Sequence, residues 1–385
     1  MEGVRQATVD LAALRANFAF ARELAGGRGV IAVVKADGYG HGGPEVARCL
    51  EAEGCGSLAV MTADEACALR ESGIRGQILV LGGLGDGREA RLAGEYALAP
   101  VVHGREGLAL AREAAEPLDS VLDVHLEVDT GMRRMGSGPE EALMLAAAVG
   151  ADSKLKLDGT YTHFASADAP DPKACLEQIG CFRDFLGALG GRGLDPGTVH
   201  AANSSALMAG SEILEALPEA GAVRPGLMLY GACSAAHEDP ERRLKPVMSV
   251  RARVAAVRDL AAGDAVGYGS TWRAEGPTRI ATLPLGYADG VLRSLSSRGE
   301  VWLAGERRPI VGRVSMDSVT VAVVDPRTPV AVGDPATFFG LAPEGGPGIR
   351  VETQAEAGGT LAYELFVGVG DRVPRVYVDG ESAGD

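Results

Sequence analysis

The chain has 385 residues, 46% hydrophobic and 23% charged, with a formal net charge of −15. That length suits one large domain with a smaller partner, and the composition is that of a globular protein able to bury a sizeable core. The acidic balance excludes nucleic acid and anionic membrane as main partners, because both are recognised by clustered Lys and Arg.

Residues 1–5 carry no apolar leader, and the most apolar later run, 142–151, is too short to span a bilayer, so the expectation is a cytoplasmic protein. Six cysteines without a C-x-x-C pair predict buried thiols and no metal site. Residues 6–9 have the makings of a strand. Asp10 reads as the N-cap of a helix in which Leu11, Leu14, Phe18, Ala21 and Leu24 recur at helical spacing. The apolar run that follows, from Val30 to Val34, leads straight into Lys35 and the glycine-rich loop 37–42. A lysine closing a buried strand is partly desolvated, which lowers its pKa and makes its amine available as nucleophile or base. Pro44 then opens a helix that Gly54 closes.

Further strand-like runs at 57–60, 77–81, 97–102, 121–128, 157–162, 198–202 and 223–230 bring the count to eight, with helical patterns such as 64–72, 139–149 and 172–189 between them. Eight strands separated by helices predict an α/β fold, a (β/α)8 TIM-like barrel over residues 1–238, with a doubly wound open sheet as the alternative. Active sites of such barrels lie where the strands end. There the sequence places Lys35, Arg134, His163, Asn203 and Ser204, with Arg224 inside the last strand. From 239 to 385 the pattern changes to short strands (247–257, 280–285, 300–303, 310–314, 319–324, 336–339) with turns at 263–264, 305–306 and 333–334. This predicts a C-terminal mainly-β domain, to which the strand near the N-terminus could add itself. Tyr268, between Gly267 and Gly269, is an odd residue for a core.

Lys35-Ala-Asp-Gly-Tyr-Gly-His-Gly42 resembles the pyridoxal-phosphate attachment motif of the alanine racemase family, and matching segments extend from residue 32 to 375. The resemblance implies covalent attachment of the cofactor at Lys35, with Tyr39 close beside it. It also implies that the Ser204 hydroxyl, the amides of Gly226 and Leu227, and Tyr363 hold the cofactor phosphate, and that Arg224 faces the pyridine nitrogen. Arg134 and Met316 would lie at the substrate, with Glu127, Asn203 and Asp317 in support. Tyr268 would reach the site of a neighbouring subunit, making a homodimer with shared active sites. Lys35 would then handle the proton of D-alanine and Tyr268 that of L-alanine, with His163 bridging from the phenol towards Arg224. The implied activity is two-base interconversion of L- and D-alanine, supplying D-alanine for peptidoglycan. Serine or wider substrates, a basic amino-acid decarboxylase and a pyridoxal-phosphate-binding homeostasis protein are the rival readings. The decarboxylase lacks its cysteine segment, since no cysteine follows Cys233, and the last rival lacks a second domain.

One position departs from the family. Where Glu127 stands, relatives commonly carry a lysine that can be carbamylated to an anion. Glutamate is an anion already, which predicts that Glu127 orients Arg134 directly through a charge-assisted hydrogen bond.

Overall fold

The computed structural model describes residues 3–234, 243–325, 327–343 and 346–380; the expected domain boundary at 238–239 lies outside the described residues. Strand β1 (Arg5–Asp10) runs into the helix Leu11–Ala25, whose first turn is capped by the Asp10 carboxylate accepting the amides of Ala12 and Ala13. Eight parallel strands then close a barrel: β2 (Gly29–Val33), β3 (Ser57–Val60), β4 (Gln77–Val80), β5 (Ala99–Val102), β6 (Leu122–Glu127), β7 (Leu155–Tyr161), β8 (Thr198–Ala201) and β9 (Ala222–Val223). Pairing of Gly29 with Ala222 and Val30 with Val223 joins the last strand to the first, which excludes the open sheet.

Two strand ends differ from expectation. The run 223–230 is not one strand: β9 stops at Val223, Pro225 and Gly226 break the extended chain, and Leu227–Tyr230 form a 3-10 turn. Arg224 therefore follows β9 rather than lying within it. At the other seam, β2 stops at Val33, and Lys35 opens a left-handed turn in which Ala36, Asp37, Gly38 and Tyr39 all have φ between 52° and 61°. Its bonds run from the Gly38 amide to the Val34 carbonyl and from the Gly40 amide to the Ala36 carbonyl, each 2.8 Å.

Left-handed helical geometry costs roughly 1–2 kcal/mol per L-residue, so neighbours must hold this turn. Glu65 accepts the Ala36 amide (2.7 Å), Asp37 accepts the Gly43 amide (2.6 Å), and His41 Nδ1 caps the carbonyls of Gly38 and Tyr39 (3.1 and 2.9 Å). Gly40, at φ 76°, sits so close to the Phe366 carbonyl that no Cβ would fit.

The remaining strands are β10 (Met248–Arg253), β11 (Ala256–Leu260), β12 (Ala265–Val266), β13 (Trp272–Arg273), β14 (Thr278–Leu283), β15 (Glu300–Leu303), β16 (Glu306–Pro309), β17 (Val319–Val323), β18 (Pro335–Phe339) and β19 (Arg375–Val378). They form a six-stranded sheet of order β16-β15-β18-β10-β1-β19, a three-stranded sheet β11-β14-β17 and a two-stranded ribbon β12-β13. The N-terminal strand does join this part, antiparallel to β10 and parallel to β19. The run 247–257 divides into β10 and β11. The run 310–314 is not a strand, because Gly312 turns it at φ 73° and only Ile310 bridges to Val321. Two helices, Val351–Gly358 and Ala362–Gly368, interrupt the β pattern.

Cys49, Cys55, Cys67 and Cys175 are buried and Cys181 and Cys233 half-buried. Among the described residues no helix is long and apolar enough to cross a membrane, and no cluster of three metal-ligating side chains occurs.

Candidate active site

A cavity of about 420 Å³ opens at the carboxyl ends of the barrel strands. Lys35, Tyr39, Glu127, Arg134, His163, Asn203, Ser204, Arg224, Gly226, Leu227 and Tyr363 line it together. Tyr363 comes from the helix Ala362–Gly368, and so from the C-terminal part. Burial pushes the Lys35 amine below the ordinary lysine range, helped by Arg134 and Arg224 and opposed by Glu65.

Arg224 is 4% exposed and held by four hydrogen bonds. Its Nη1 donates to His200 Nδ1 and to the His200 carbonyl, both at 3.0 Å; its Nη2 donates to the Thr162 carbonyl at 2.8 Å and to His163 Nδ1 at 3.4 Å. Four of the five guanidinium hydrogens are thus spent. Among the described residues Nε–H has no protein acceptor. The guanidinium lies 4.4 Å over the Tyr161 ring, a desolvated cation–π contact. Burial, then Arg224, presses His163 down to about 3, so its imidazole is neutral.

At the far wall Ser204 Oγ accepts the amides of Gly226 (2.9 Å) and Met228 (3.2 Å). Having accepted two bonds, this hydroxyl keeps its own proton to donate. Asn203 caps the short helix Ser204–Met208 by accepting the Ala206 amide. Tyr39 packs between Tyr230 (4.7 Å) and Tyr363 (5.8 Å), and burial raises its phenol.

Glu127 does not meet the expectation placed on it. It is 5% exposed, accepts the Tyr161 hydroxyl at 3.0 Å and lies 3.2 Å from His103 Nδ1, whereas Arg134 is exposed at the cavity rim and bonds to neither Glu127 nor Asp129. The cause is register: Glu127 pairs with Tyr161 across β6 and β7, and the strand turns its carboxylate into the barrel. Burial pushes that carboxyl up, but His103, Tyr161 and Arg224 outweigh it and hold the group below the ordinary range. Asp129 instead ties down its own loop by accepting the amides of Gly131 and Arg133.

Three expected residues lie outside the cavity. Tyr268 is 70% and Met316 52% exposed, both in the C-terminal part, and Asp317 pairs with Arg372 at 2.9 Å. The loop carrying Tyr287 is stitched to Met316, with the Ala288 amide donating to the Met316 carbonyl.

Sequence reasoning missed Tyr161, His103 and Glu65. Tyr161 could have been found as the inward residue at the end of a strand; His103 carries no local signal, because only barrel closure brings it to Glu127.

Fold and cavity together define a lysine-bearing (β/α)8 barrel with an appended β domain. Residues 9–234 match the family described as alanine racemase, N-terminal domain, and residues 247–377 that described as alanine racemase, C-terminal domain. The alanine racemase of Carboxydothermus hydrogenoformans is 41% identical over 376 residues, 97% of this chain and 99% of its own. The solved alanine racemase of D-cycloserine-producing Streptomyces lavendulae matches with a TM-score of 0.89 at 35% identity, covering 99% of this chain and 98% of that one. The alanine racemase of Bartonella henselae, solved with covalently bound pyridoxal phosphate, matches with a TM-score of 0.86 at 27% identity, covering 98% and 100%. The chain belongs to the alanine racemase family.

Proposed function

We propose that this chain interconverts L- and D-alanine with pyridoxal 5'-phosphate held at Lys35. The observation that carries it is the meeting in one cavity of a desolvated lysine, an arginine with one donor to spare and a cluster of hydroxyl and amide donors. These residues fit the cofactor. The Ser204 hydroxyl and the Leu227 amide suit a phosphate; the Gly226 amide, expected to join them, donates to Ser204 Oγ instead, and Gly226 serves by leaving room, since a Cβ there would sit 2.5 Å from the Tyr39 hydroxyl. Arg224 Nε–H suits the ring nitrogen and, being permanently protonated, keeps that nitrogen from taking a proton. When bound, pyridoxal phosphate supplies an electron-withdrawing ring that acidifies the α-proton of an amino acid.

The chain's own residues do the rest. Lys35 takes or returns the α-proton on one face, where its lowered basicity keeps a neutral amine within reach of working pH. Tyr268 serves the other face from the partner subunit of a homodimer; its exposure in one chain accords with such a role. Neutral His163, with Nδ1 turned to Arg224, carries its ring proton on Nε2. Arg134 at the rim takes the substrate carboxylate, and Met316 and Asp317 shape the entrance from the C-terminal side. The cytoplasm, and supply of D-alanine for peptidoglycan, are the setting this activity fits.

The test is chiral chromatography on purified protein incubated with L-alanine, D-alanine, serine and lysine, after the visible absorbance of bound cofactor has been recorded. Racemisation of alanine well above the others is expected. Cofactor binding without any loss of optical purity would overturn the proposal.

A further inference from the structure

Behind Arg224, on the side away from the cavity, polar side chains run through the middle of the barrel to its opposite mouth. Arg224 Nη1 is 3.0 Å from His200 Nδ1 and His200 Nε2 is 2.9 Å from His125 Nδ1, both hydrogen bonds, whereas His125 Nε2 faces Asp158 Oδ2 at 3.7 Å, too long for one. His200 and His125 are 0% and 1% exposed, in a layer that barrels usually fill with branched apolar side chains. The fold has made room for them. A Cβ on Gly159 of β7 would sit 2.5 Å from the His125 ring, and His200 stacks on Tyr161 at 4.7 Å, the same ring that carries the Arg224 guanidinium.

The protons in this line can be assigned. A guanidinium only donates, so His200 Nδ1 is the bare nitrogen and the single ring proton sits on Nε2. Burial and Arg224 keep His200 well below the ordinary histidine range, so no second proton joins it. The Nε2 proton points at His125 Nδ1, which must be bare to accept it, and this puts the His125 proton on Nε2, turned to Asp158. Asp158 is an anion: His125 holds its carboxyl well below the usual range, and Lys156 and Gln77 add to this against the effect of burial. Gln77 Nε2 donates to it at 2.8 Å.

We propose that Arg224, His200 and His125 form a one-way line in which Arg224 donates to His200 and His200 to His125, with the His125 Nε2 proton turned to the Asp158 carboxylate at contact rather than hydrogen-bond distance, and that His200 and His125 are positioning residues that aim Arg224 Nε–H. This rests on the proposal above that Arg224 faces the cofactor ring nitrogen. With both Nη groups anchored and the direction of the hydrogen bonds set by the guanidinium, which can only donate, the guanidinium cannot turn in its plane. His125 acts only through His200, and Asp158 only through His125.

The experiment is 15N-edited NMR of histidine-labelled holoenzyme at pH 8, with His125→Gln and His200→Gln identifying the two resonance sets among the six histidines. Both rings should be neutral, with protonated Nε2 and bare Nδ1. A proton on Nδ1 of either ring, or two protons on one, would overturn the line. In parallel, His125→Leu should lower kcat by about tenfold, the scale seen for partners that orient a ligand from behind, with KM for alanine little changed. His125→Gln, whose carbonyl can still accept from His200 Nε2, should recover most of that loss. Equal losses in the two variants, or none, would reduce His125 to packing. The NMR assignment needs only wild-type protein and the glutamine variants, so it decides the line even where His125→Leu fails to fold. It is also independent of turnover: a protein that shows the predicted protonation but leaves alanine unchanged would sink the racemase proposal and not the line.

Discussion

The barrel cavity and the face that carries Tyr268, Met316 and Tyr287 are built on opposite terms. Around the cavity the chain itself holds the buried polar groups: Arg224 spends four of its five hydrogens on named acceptors, Glu127 accepts from Tyr161, and Ser204 accepts two amides. On the C-terminal face Tyr268, Met316 and Tyr287 stand 70%, 52% and 46% exposed. Buried polar groups left unpaired cost about 1–3 kcal/mol each, so a buried site is driven to one geometry by its own chain. Exposed side chains are under no such pressure and acquire a geometry only when something covers them. In the proposed enzyme these are two halves of one site, the first complete in a single chain and the second awaiting a partner.

The sharpest break in the buried half is Lys35→Ala, which removes the cavity's lysine. Racemisation should fall by more than about 10⁴-fold, beyond the usual reach of a single acid–base group, because the same amine also anchors the cofactor. Loss of the visible cofactor absorbance is the accompanying sign, and persisting turnover would show that another group does both jobs. Tyr268→Phe strikes the exposed half instead. Cofactor absorbance should survive while kcat falls about 10²–10³-fold, with α-proton exchange from L-alanine slowed most. Mixed in equal amounts under subunit exchange, the two dead variants should recover about a quarter of wild-type activity, because half the dimers then hold one intact site of two. No recovery in demonstrated hybrids would deny that the halves meet between subunits.

The buried half should also be the acid-sensitive one. His163 is pressed to about 3 and His41 to about 4, both from an ordinary 6.5 and both chiefly by burial. Because the unfolded chain takes these protons first, stability is full above about pH 6.5 and is lost as pH falls towards those values, on the order of 3 kcal/mol for each residue. Thermal unfolding followed from pH 8 to pH 4 should show that slope, and His41→Asn should flatten it. The smallest effect belongs to Glu127→Gln, which keeps an acceptor for Tyr161 but removes the charge beside His103. About a tenfold fall in kcat is expected, with no response to dissolved carbon dioxide. An unimpaired variant would mean that Tyr161 carries Arg224 without help from an anion.

Much of the buried half is legible in residue type and spacing. Lys35 at the end of an apolar run, Gly226 where a backbone comes close and Asp10 as a cap are local facts, settled within a few positions of the chain. The left-handed turn after Lys35 is only half legible: Gly38 and Gly40 advertise positive φ, but Ala36, Asp37 and Tyr39 adopt it because Glu65, Asp37's own carboxylate and His41 enforce it. Tyr268 stands out by its glycine neighbours, and nothing in one chain says what it touches.

Residue order and pattern alone determined that this chain is an eight-stranded barrel with a mainly-β extension and where its lysine lies, because strand periodicity, turns and caps act over short stretches. Which polar groups pair with which was decided only by the closed barrel. Glu127 sits seven residues from Arg134 in the chain yet faces Tyr161 and His103, and Arg224 is held by His200 and, through it, His125. Side chains on neighbouring strands meet according to register and inward direction, and both are set by how eight separate segments close on one another.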